Sequence, residues 1–361
     1  MNWFYVQTES TDKDKRNAGA KAPADVSAIL ANMGLSRLVL SDVGDRQAGG
    51  ALSKLGAHRR ALDCWLEAIE TLSDGDGIVM QLPFATHTIW FDRVVDVCRR
   101  RNIRLVLLVH DLESIRLALA GGASFAQTMR FKMEESSVLS YAQAIIVHND
   151  RMADFASEHF GYERSRFVSL GLFDYLIPGF TSSGQRAASS DAVVVAGNLR
   201  PDKAGYLYDI PNDVDFNFYG IGYEKRSDFP RVNYCGSYSA EELPMKLEGS
   251  FGLVWDGPEG KTCSGVYGDY LKINNPHKTS LYLASGLPVI VWKDSAVASF
   301  VRQEGVGICI GSLYDLRLSL DRLCKADYEK MESNVARVGE KLRAGGFTTD
   351  AVRKACEIAV S

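Results

Sequence analysis

The sequence predicts two α/β domains, each built around a parallel sheet. The chain has 361 residues, of which 46% are hydrophobic and 24% charged, which is enough for two globular cores. Short apolar runs alternate with segments whose apolar residues recur at helical spacing, which is typical of β-α units. Residues 181–190, rich in Ser, Gly, Ala and Gln, interrupt this alternation and indicate a linker.

The first half of the chain begins with a predicted strand at residues 1–7. A polar, glycine-containing loop follows at 8–21, and Val26, Ile29 and Leu30 then recur at helical spacing. Several of the later apolar runs are almost wholly hydrophobic, as expected of strands covered by helices on both faces. These later strands are predicted at 38–40, 78–82, 103–109, 144–147 and 167–172.

The second half repeats the alternation and closes with helices. Apolar residues spaced by three to five positions between Leu323 and Leu342 predict a long amphipathic helix, and a shorter one follows Thr348. The strands of this half are predicted at 192–196, 216–219, 251–255, 288–292 and 307–310. We therefore expect an N-terminal domain at 1–172, a linker at 173–190, a C-terminal domain at 191–340 and a final helix at 341–361.

Charge and composition exclude several classes of function. With 41 Lys and Arg against 45 Asp and Glu, the net charge of −4 provides no overall basic field for nucleic acid. No apolar stretch approaches the ~20 residues of a membrane span, and no signal-peptide pattern opens the sequence, so a cytoplasmic protein is expected. The arginines at 99–101 complement a predicted helix end, and peripheral membrane association through them stays an alternative.

The spacing of the seven cysteines indicates neither a disulfide framework nor a zinc site. They are widely scattered, with no C-x-x-C pair and no Cys/His cluster at zinc spacing. We expect them to be reduced thiols.

The segment at 270–292 is the one most suggestive of ligand binding. Asn275 is a candidate helix cap, and Pro276 suits the first helical position, where a missing N–H costs nothing. A helix start offers N–H groups and positive dipole character, and Lys272 and Lys278 add cationic charge nearby. The segment is therefore either a phosphate-binding helix start or an ordinary capped helix with solvated cations.

Seven short blocks carry a family resemblance. They are HDLESIR at 110–116, IVHN at 146–149, LGLFDY at 170–175, GNLR at 197–200, FYG at 218–220, FGLVWDG at 251–257 and NNPHK at 274–278. In this order, across most of the chain, they resemble a bacterial GT-B transferase group. That group contains glucosyltransferases that extend glycans on serine-rich adhesins and galactofuranosyltransferases of surface polysaccharides.

The resemblance implies a fold and an activity. The implied fold is GT-B, in which two Rossmann-like domains face a central cleft and the C-terminal helix returns toward the N-terminal domain. The implied activity is a UDP-sugar-dependent hexosyltransferase that moves glucose or galactofuranose onto a glycan carried by a protein or a lipid. The implied mechanism is inverting, a direct displacement without a covalent intermediate, and a homo-oligomer is expected.

The resemblance assigns the donor to the C-terminal domain. Arg200 and Lys272 would neutralise the diphosphate of the leaving group, and Asn275 and Lys278 would reach the ribose or a phosphate. Tyr219 would lie against the uracil or ribose, or would instead pack in the core as a strand-end aromatic residue.

Two further segments are expected near the donor. Asp256 would lie near the donor sugar or ribose, with the glycine-rich residues after it forming a flap; the alternative is a simple Asp-Gly turn. In the family, the loop corresponding to residues 8–21 closes over the donor phosphates and the acceptor. There Gly19 would allow close approach of the backbone and Lys21 would add charge, unless the loop is simply solvated.

His110 and Asp111 follow the predicted strand at 103–109, where ligands of parallel sheets bind. Inverting transfer needs a base for the acceptor hydroxyl, and either residue is a candidate. The alternative for His110 is a structural bond to a backbone carbonyl. His87 is a further candidate near the same edge.

We expect no essential metal and no cofactor besides the donor. Asp74 and Asp76 have the letters of the D-x-D motif of metal-dependent transferases, but they precede a strand and indicate a turn. A nucleotide-sugar-modifying or dinucleotide-dependent enzyme is the rival hypothesis, but no G-x-G-x-x-G follows a strand and opens a helix. A catalytically silent nucleotide-binding scaffold is the third.

Overall fold

The computed structural model describes residues 1–8, 20–40, 51–112, 135–180, 192–225 and 231–361. The chain forms two compact units. The first consists of Met1–Lys13, Val26–Leu170 and Thr348–Ser361, and the second of Asp14–Asp25 and Gly171–Phe347. The end of the chain therefore belongs to the same unit as its beginning.

The first unit is built on a parallel sheet. Its strands are β1 (Trp3–Thr8), β2 (Ser36–Leu40), β3 (Gly77–Leu82), β4 (Arg104–Val109), β5 (Ala144–Val147) and β6 (Phe167–Ser169). Within the described residues they lie in the order β2-β1-β3-β4-β5-β6, and every pair is parallel. Since all strands run the same way, their carboxyl ends meet at one edge.

Helices connect these strands. They are α1 (Lys21–Asn32), α2 (Ala51–Glu70), α3 (Phe91–Arg100), α4 (135–141) and α5 (Asp150–Phe160). Capping residues set the ends of α5. The Asn149 side chain accepts the Met152 N–H at 3.0 Å, and Gly161 takes the left-handed conformation, with φ of 71°, just after the helix.

The second unit contains another parallel sheet. Its strands are β7 (Val193–Asn198), β8 (Phe216–Ile221), β9 (Val232–Tyr234), β10 (Phe251–Val254), β11 (Val289–Trp292) and β12 (Gly307–Ile310). In the described part of the chain their order is β12-β11-β10-β7-β8-β9, again with parallel pairs only.

The remaining helices belong largely to the second unit. They are α6 (Pro201–Ala204), α7 (Gly265–Tyr270), α8 (His277–Ala284), α9 (Val297–Glu304), α10 (Leu316–Asp321), α11 (Lys325–Arg343) and α12 (Gly346–Val360). From Thr348 onward α12 is part of the first unit. Short 3₁₀ helices occur at Arg164–Arg166, Gly205–Tyr208, Leu243–Met245 and Leu313–Asp315.

Two apolar clusters cover the faces of the second sheet. Successive residues of β7 enter opposite clusters, Val194 and Ala196 one of them, Val193 and Val195 the other, as the period of two along a strand requires. Residues of α8, α9 and α11 complete the first cluster, and α10 contributes to the second. Burial on both faces explains why these strands are almost continuously apolar.

The structure confirms the predicted fold class of two α/β domains with parallel sheets. The strand β9 was missed because it has three residues, all at least partly exposed, and so gives no apolar run. Within the predicted linker at 173–190, Phe173, Tyr175 and Ile177 are buried in the second unit. Residues 181–190 lie outside the described part of the chain.

Tyr282 ties α8 to the centre of the second sheet. Its hydroxyl accepts the Ala196 N–H of β7 at 2.7 Å, and its side chain is fully buried. Burial raises the pKa of this hydroxyl, which is therefore neutral at physiological pH.

The substitution Tyr282→Phe should lower the free energy of unfolding by ~1–3 kcal/mol, because the Ala196 N–H is left buried without its partner. Urea unfolding followed by circular dichroism measures the change. Tyr267→Phe, at a 37% exposed position of α7, is the matched control and should change stability by less than ~0.5 kcal/mol. Equal midpoints for Tyr282→Phe and the wild type would contradict the assignment.

Candidate functional site

The carboxyl edge of the second sheet collects the residues predicted to bind a donor. Arg200 follows β7, Asp256 follows β10, and Lys272 and Lys278 flank the loop that begins α8. Ligands of open parallel sheets bind at this edge, where the loops can be polar without disturbing the core. The contacts of each side chain show which of them face solvent.

Arg200 is exposed at the start of α6. Its backbone N–H donates to the Asn198 side chain at 3.1 Å, which fixes the turn after β7. The Arg200 side chain packs against Gly222: a Cβ at position 222 would lie only 2.3 Å from the Arg200 Cγ. Gly222 also has a φ of +83°, so this position after β8 requires glycine for two reasons.

Lys272 is also exposed. Its Nζ lies 2.7 Å from Asp269 Oδ1, in a pair whose side chains are 52% and 43% accessible. The same Nζ is 5.8 Å from the ring centroid of Trp292, at the end of β11. A pair this exposed contributes little to stability, so the ammonium is available to an anionic ligand at small cost.

Lys278 is held differently from the sequence-based expectation. Its Nζ donates to Asp256 Oδ1 at 2.9 Å and to the Trp255 carbonyl oxygen at 3.0 Å. The two side chains are only 18% and 11% accessible. In this structure Lys278 therefore neutralises the Asp256 carboxylate and binds α8 to the end of β10, rather than presenting its charge to solvent.

Asn275 does not cap α8. The helix begins at His277 with Pro276 in the capping position, and no side chain caps it. Asn275 is 4% exposed, and its amide donates to the Gly171 carbonyl oxygen, over a hundred residues earlier. The amide is thus used to fasten the helix start to the segment after β6, which spacing alone does not reveal.

Tyr219 packs in the core, the second of its two interpretations. It is 2% exposed, and its hydroxyl accepts the Glu248 N–H at 3.0 Å. Burial raises the pKa of this hydroxyl. An aromatic residue that sequence reasoning missed, Tyr223, is half-buried beyond Gly222 and contacts Tyr208 and Tyr234, with centroids 6.2 and 5.7 Å away.

The segment after Asp256, for which a flap or a simple Asp-Gly turn was expected, is tied to its surroundings at several points. Its bonds are Gly257 N–H to Lys203 O at 3.3 Å, Tyr206 N–H to Gly257 O at 3.1 Å, Trp255 Nε1–H to Glu259 O at 3.1 Å, Gly260 N–H to Asp209 Oδ2 at 2.8 Å and Leu313 N–H to Gly260 O at 2.8 Å. These bonds hold the segment against neighbouring loops of the second unit.

His110 and Asp111 are half-buried at the carboxyl edge of the first sheet. The His110 Nε2 lies 2.7 Å from the Gln81 side-chain oxygen, and the His110 carbonyl oxygen accepts from His148 Nε2 at 2.8 Å. The ring of His87 contacts that of His58, with centroids 5.4 Å apart. His110 and His148 thus lie together at this edge; from the sequence, His148 was included only within the block at 146–149, and Gln81 was not singled out.

Lys21 takes part in an ion pair within the second unit. Its Nζ donates to the Asp25 carboxylate and, at 2.8 Å, to the Leu176 carbonyl oxygen, and it lies 4.9 Å from the ring centroid of Tyr175. Burial raises the pKa of Asp25, and the bond to Lys21 opposes that rise. Gly19 and the rest of 9–19 lie outside the described residues.

Among the described residues, no group of three or more His, Cys, Asp and Glu side chains is arranged to hold a metal ion. No helix in the described ranges is both long and apolar enough to cross a membrane. Arg99 and Arg101, the basic residues near the end of α3, pair with Asp96 and Asp74.

Comparison with known proteins identifies relatives of both halves of the chain. The N-terminal domain of the glucosyltransferase 3-like family matches residues 5–172, and its C-terminal domain matches residues 193–355. The β-1,6-galactofuranosyltransferase WbbI of Escherichia coli is 32% identical over 258 residues, which cover 71% of this chain and 72% of that protein. Glucosyltransferase 3 of Streptococcus parasanguinis is 24% identical over 286 residues, 77% of each chain.

A solved structure shares the fold. The UGT2 protein of Phytolacca americana, complexed with UDP-2-fluoro-glucose and pterostilbene, superposes with a TM-score of 0.50 at 9% identity, over the full length of both chains. At this identity the likeness shows the fold alone. It agrees with the GT-B class that the sequence blocks implied.

The contrast between the two lysines predicts different stabilities. Lys278→Met should lower the free energy of unfolding by about 3 kcal/mol, because Asp256 is left as a largely buried, unpaired carboxylate. Lys272→Met removes only an exposed pair and should cost less than about 1 kcal/mol. Urea unfolding of both variants tests this, and an equal loss in the two would contradict the assignment of Lys278 to a structural pair.

Proposed function

Because the chain belongs to the glucosyltransferase 3-like family of GT-B glycosyltransferases, we propose that it transfers a hexose from a UDP-sugar to a glycan. Glucose and galactofuranose are the proposed sugars, since the relatives are named as glucosyl- and galactofuranosyltransferases. The proposed acceptor is a glycan on a lipid or protein carrier, in bacterial surface polysaccharide or glycoprotein synthesis. The proposed location is the cytoplasm, and the proposed assembly a homo-oligomer.

One observation carries the donor assignment. Arg200 follows β7 and Lys272 precedes α8, and both are exposed cations at the carboxyl edge of the second sheet. A departing nucleoside diphosphate gains negative charge, which a guanidinium and an ammonium placed beforehand stabilise. The amino end of α8 adds dipole character of the same sign. We assign the diphosphate to this edge, with Tyr223 as the aromatic residue beside it.

The proposed reaction is an inverting displacement. The acceptor oxygen forms a bond to the anomeric carbon as the bond from that carbon to the diphosphate oxygen breaks, and the electron pair leaves with UDP. The acceptor proton passes to a base of the first unit, for which His110 and Asp111 are the candidates. No covalent enzyme intermediate is required.

The proposed chemistry does not use a metal ion. In metal-dependent transferases a divalent cation stabilises the diphosphate, and here Arg200, Lys272 and the start of α8 are proposed to take that role.

UDP should bind with an affinity that depends on both exposed cations. Arg200→Ala and Lys272→Ala should each raise the Kd for UDP about tenfold, equivalent to ~1.4 kcal/mol. Isothermal titration calorimetry with UDP, UMP, ADP and NAD measures this. Lys330→Ala, an exposed lysine of α11, removes the same charge elsewhere and should leave the Kd unchanged. Binding of NAD without UDP would instead support the dinucleotide hypothesis.

Turnover should persist without divalent metal. UDP release from UDP-glucose or UDP-galactofuranose, with p-nitrophenyl hexosides as acceptors, should keep its rate within twofold after dialysis against EDTA. Loss of activity that added Mg²⁺ or Mn²⁺ restores would refute the metal-free mechanism.

A further inference from the structure

Gln81 is a polar residue near the end of an otherwise apolar strand. In β3, Ile78, Val79, Met80 and Leu82 are all at most 3% exposed, and Gln81 alone of these five side chains is partly accessible. An amide inside a parallel sheet must find hydrogen-bonding partners or destabilise the sheet. The partners of Gln81 therefore indicate why it is there.

The Gln81 amide joins three elements of the first unit. Its oxygen is 2.7 Å from His110 Nε2, just past the end of β4, and its nitrogen donates to Ser27 Oγ of α1 at 3.0 Å. Gln81 pairs with Leu108 in the register of β3 and β4, so its side chain needs to reach only two residues further along the neighbouring strand. With the amide nitrogen donating to the Ser27 hydroxyl, the amide oxygen is the end that faces the imidazole.

This contact determines the tautomer of His110. An amide oxygen accepts hydrogen bonds and cannot donate them, so the proton of the contact belongs to Nε2. In the neutral imidazole the basic lone pair is then on Nδ1. The arrangement resembles the general logic of a base oriented by a third group, with a neutral amide in the orienting position.

The backbone of His110 is fixed as well. Its N–H donates to the Leu82 carbonyl oxygen at 2.8 Å, and its carbonyl oxygen accepts from Nε2 of His148, which is 3% exposed. Both the position of the residue and the orientation of its ring are therefore set by neighbours in the same unit. Asp111, the next residue in sequence, and His148, whose Nε2 donates to the His110 carbonyl oxygen, are two titratable groups beside it.

We propose that Gln81 is a positioning residue that holds His110 in the Nε2–H tautomer and so presents Nδ1 as the base for the acceptor hydroxyl. The proposal rests on the proposed transferase function and names the base that it left open. In the transfer step the acceptor proton moves to Nδ1 as its oxygen bonds the anomeric carbon and the diphosphate leaves with the electron pair of the broken bond.

Three variants test this with UDP release from the donor that is turned over and p-nitrophenyl hexosides as acceptors. His110→Ala should lower kcat on the order of 10²–10⁴-fold. Gln81→Leu should lower kcat roughly 10–100-fold, as loss of an orienting partner does, with the Kd for UDP unchanged. The double variant should be no slower than His110→Ala alone, because Gln81 acts only through the imidazole.

Gln81→Glu supplies a readout that a purely structural role would not give. The carboxylate still accepts from Nε2–H and favours the protonated ring, so the acidic limb of the pH profile of kcat/KM should move up by about one pH unit. This variant also keeps the proposal testable if Gln81→Leu fails to fold, which UDP binding and the thermal midpoint would show.

The failures of the two proposals differ. If His110→Ala retains the kcat of the wild type while UDP still binds, the base assignment is refuted and Asp111→Asn becomes the next variant. If His110→Ala is slow but the effects of the two substitutions multiply, or the pH profile of Gln81→Glu is unchanged, the positioning role of Gln81 is refuted and the transferase function stands.

Discussion

The ion pair between Lys278 and Asp256 determines how the candidate donor site is built. It joins the first turn of α8 to the second residue after β10, and both side chains are largely buried. Such a pair adds little net stability over apolar residues, but removing one partner is costly, so the junction has a single arrangement. Asn275 bound to Gly171 and Tyr282 bound to Ala196 hold the same helix at two more points. These contacts join α8 to β7 and to the end of β10, and the exposed cations Arg200 and Lys272 lie next to these elements in the chain. A site whose elements are joined in advance needs less reorganisation when an anion binds.

The fold could be predicted from the sequence because burial on both sheet faces leaves a direct record in it. Runs such as 78–82 and 144–147 are apolar since helices cover both sides, and each appears as a strand within a residue of its predicted bounds. The strand β9 left no such record, because its side chains are partly or fully exposed at the sheet edge. The assignment of Thr348–Ser361 to the first unit rests on contacts distant in sequence.

The site was less predictable, because side-chain partners come from distant segments. Arg200 follows β7 and Lys272 precedes α8, the positions that the predicted strand and helix gave them. Lys278 has the same charge as Lys272, six residues away, yet faces Asp256 rather than solvent. Successive side chains of a strand face opposite sides of the sheet, so Phe218 and Tyr219 enter the two different apolar clusters. Because both faces of this sheet are covered, the strand pattern alone already favoured a buried Tyr219.

Polar residues within the two sheets show how position separates a structural from a chemical role. Asn217 lies near the amino end of β8, is 8% exposed, and its amide bonds the Glu248 carbonyl oxygen at 2.7 Å and the Asn233 side chain at 3.2 Å. These partners do not titrate, and this end of a parallel strand is remote from the ligand edge, so the amide serves the packing of the edge strand. Gln81 is the penultimate residue of β3, at the carboxyl end, and its partner is an imidazole. The Gln81 amide lies at the ligand edge and orients a titratable ring, so it bears on proton transfer. The Asn217 amide does neither. Two side chains with the same amide group therefore receive different roles in the two sheets.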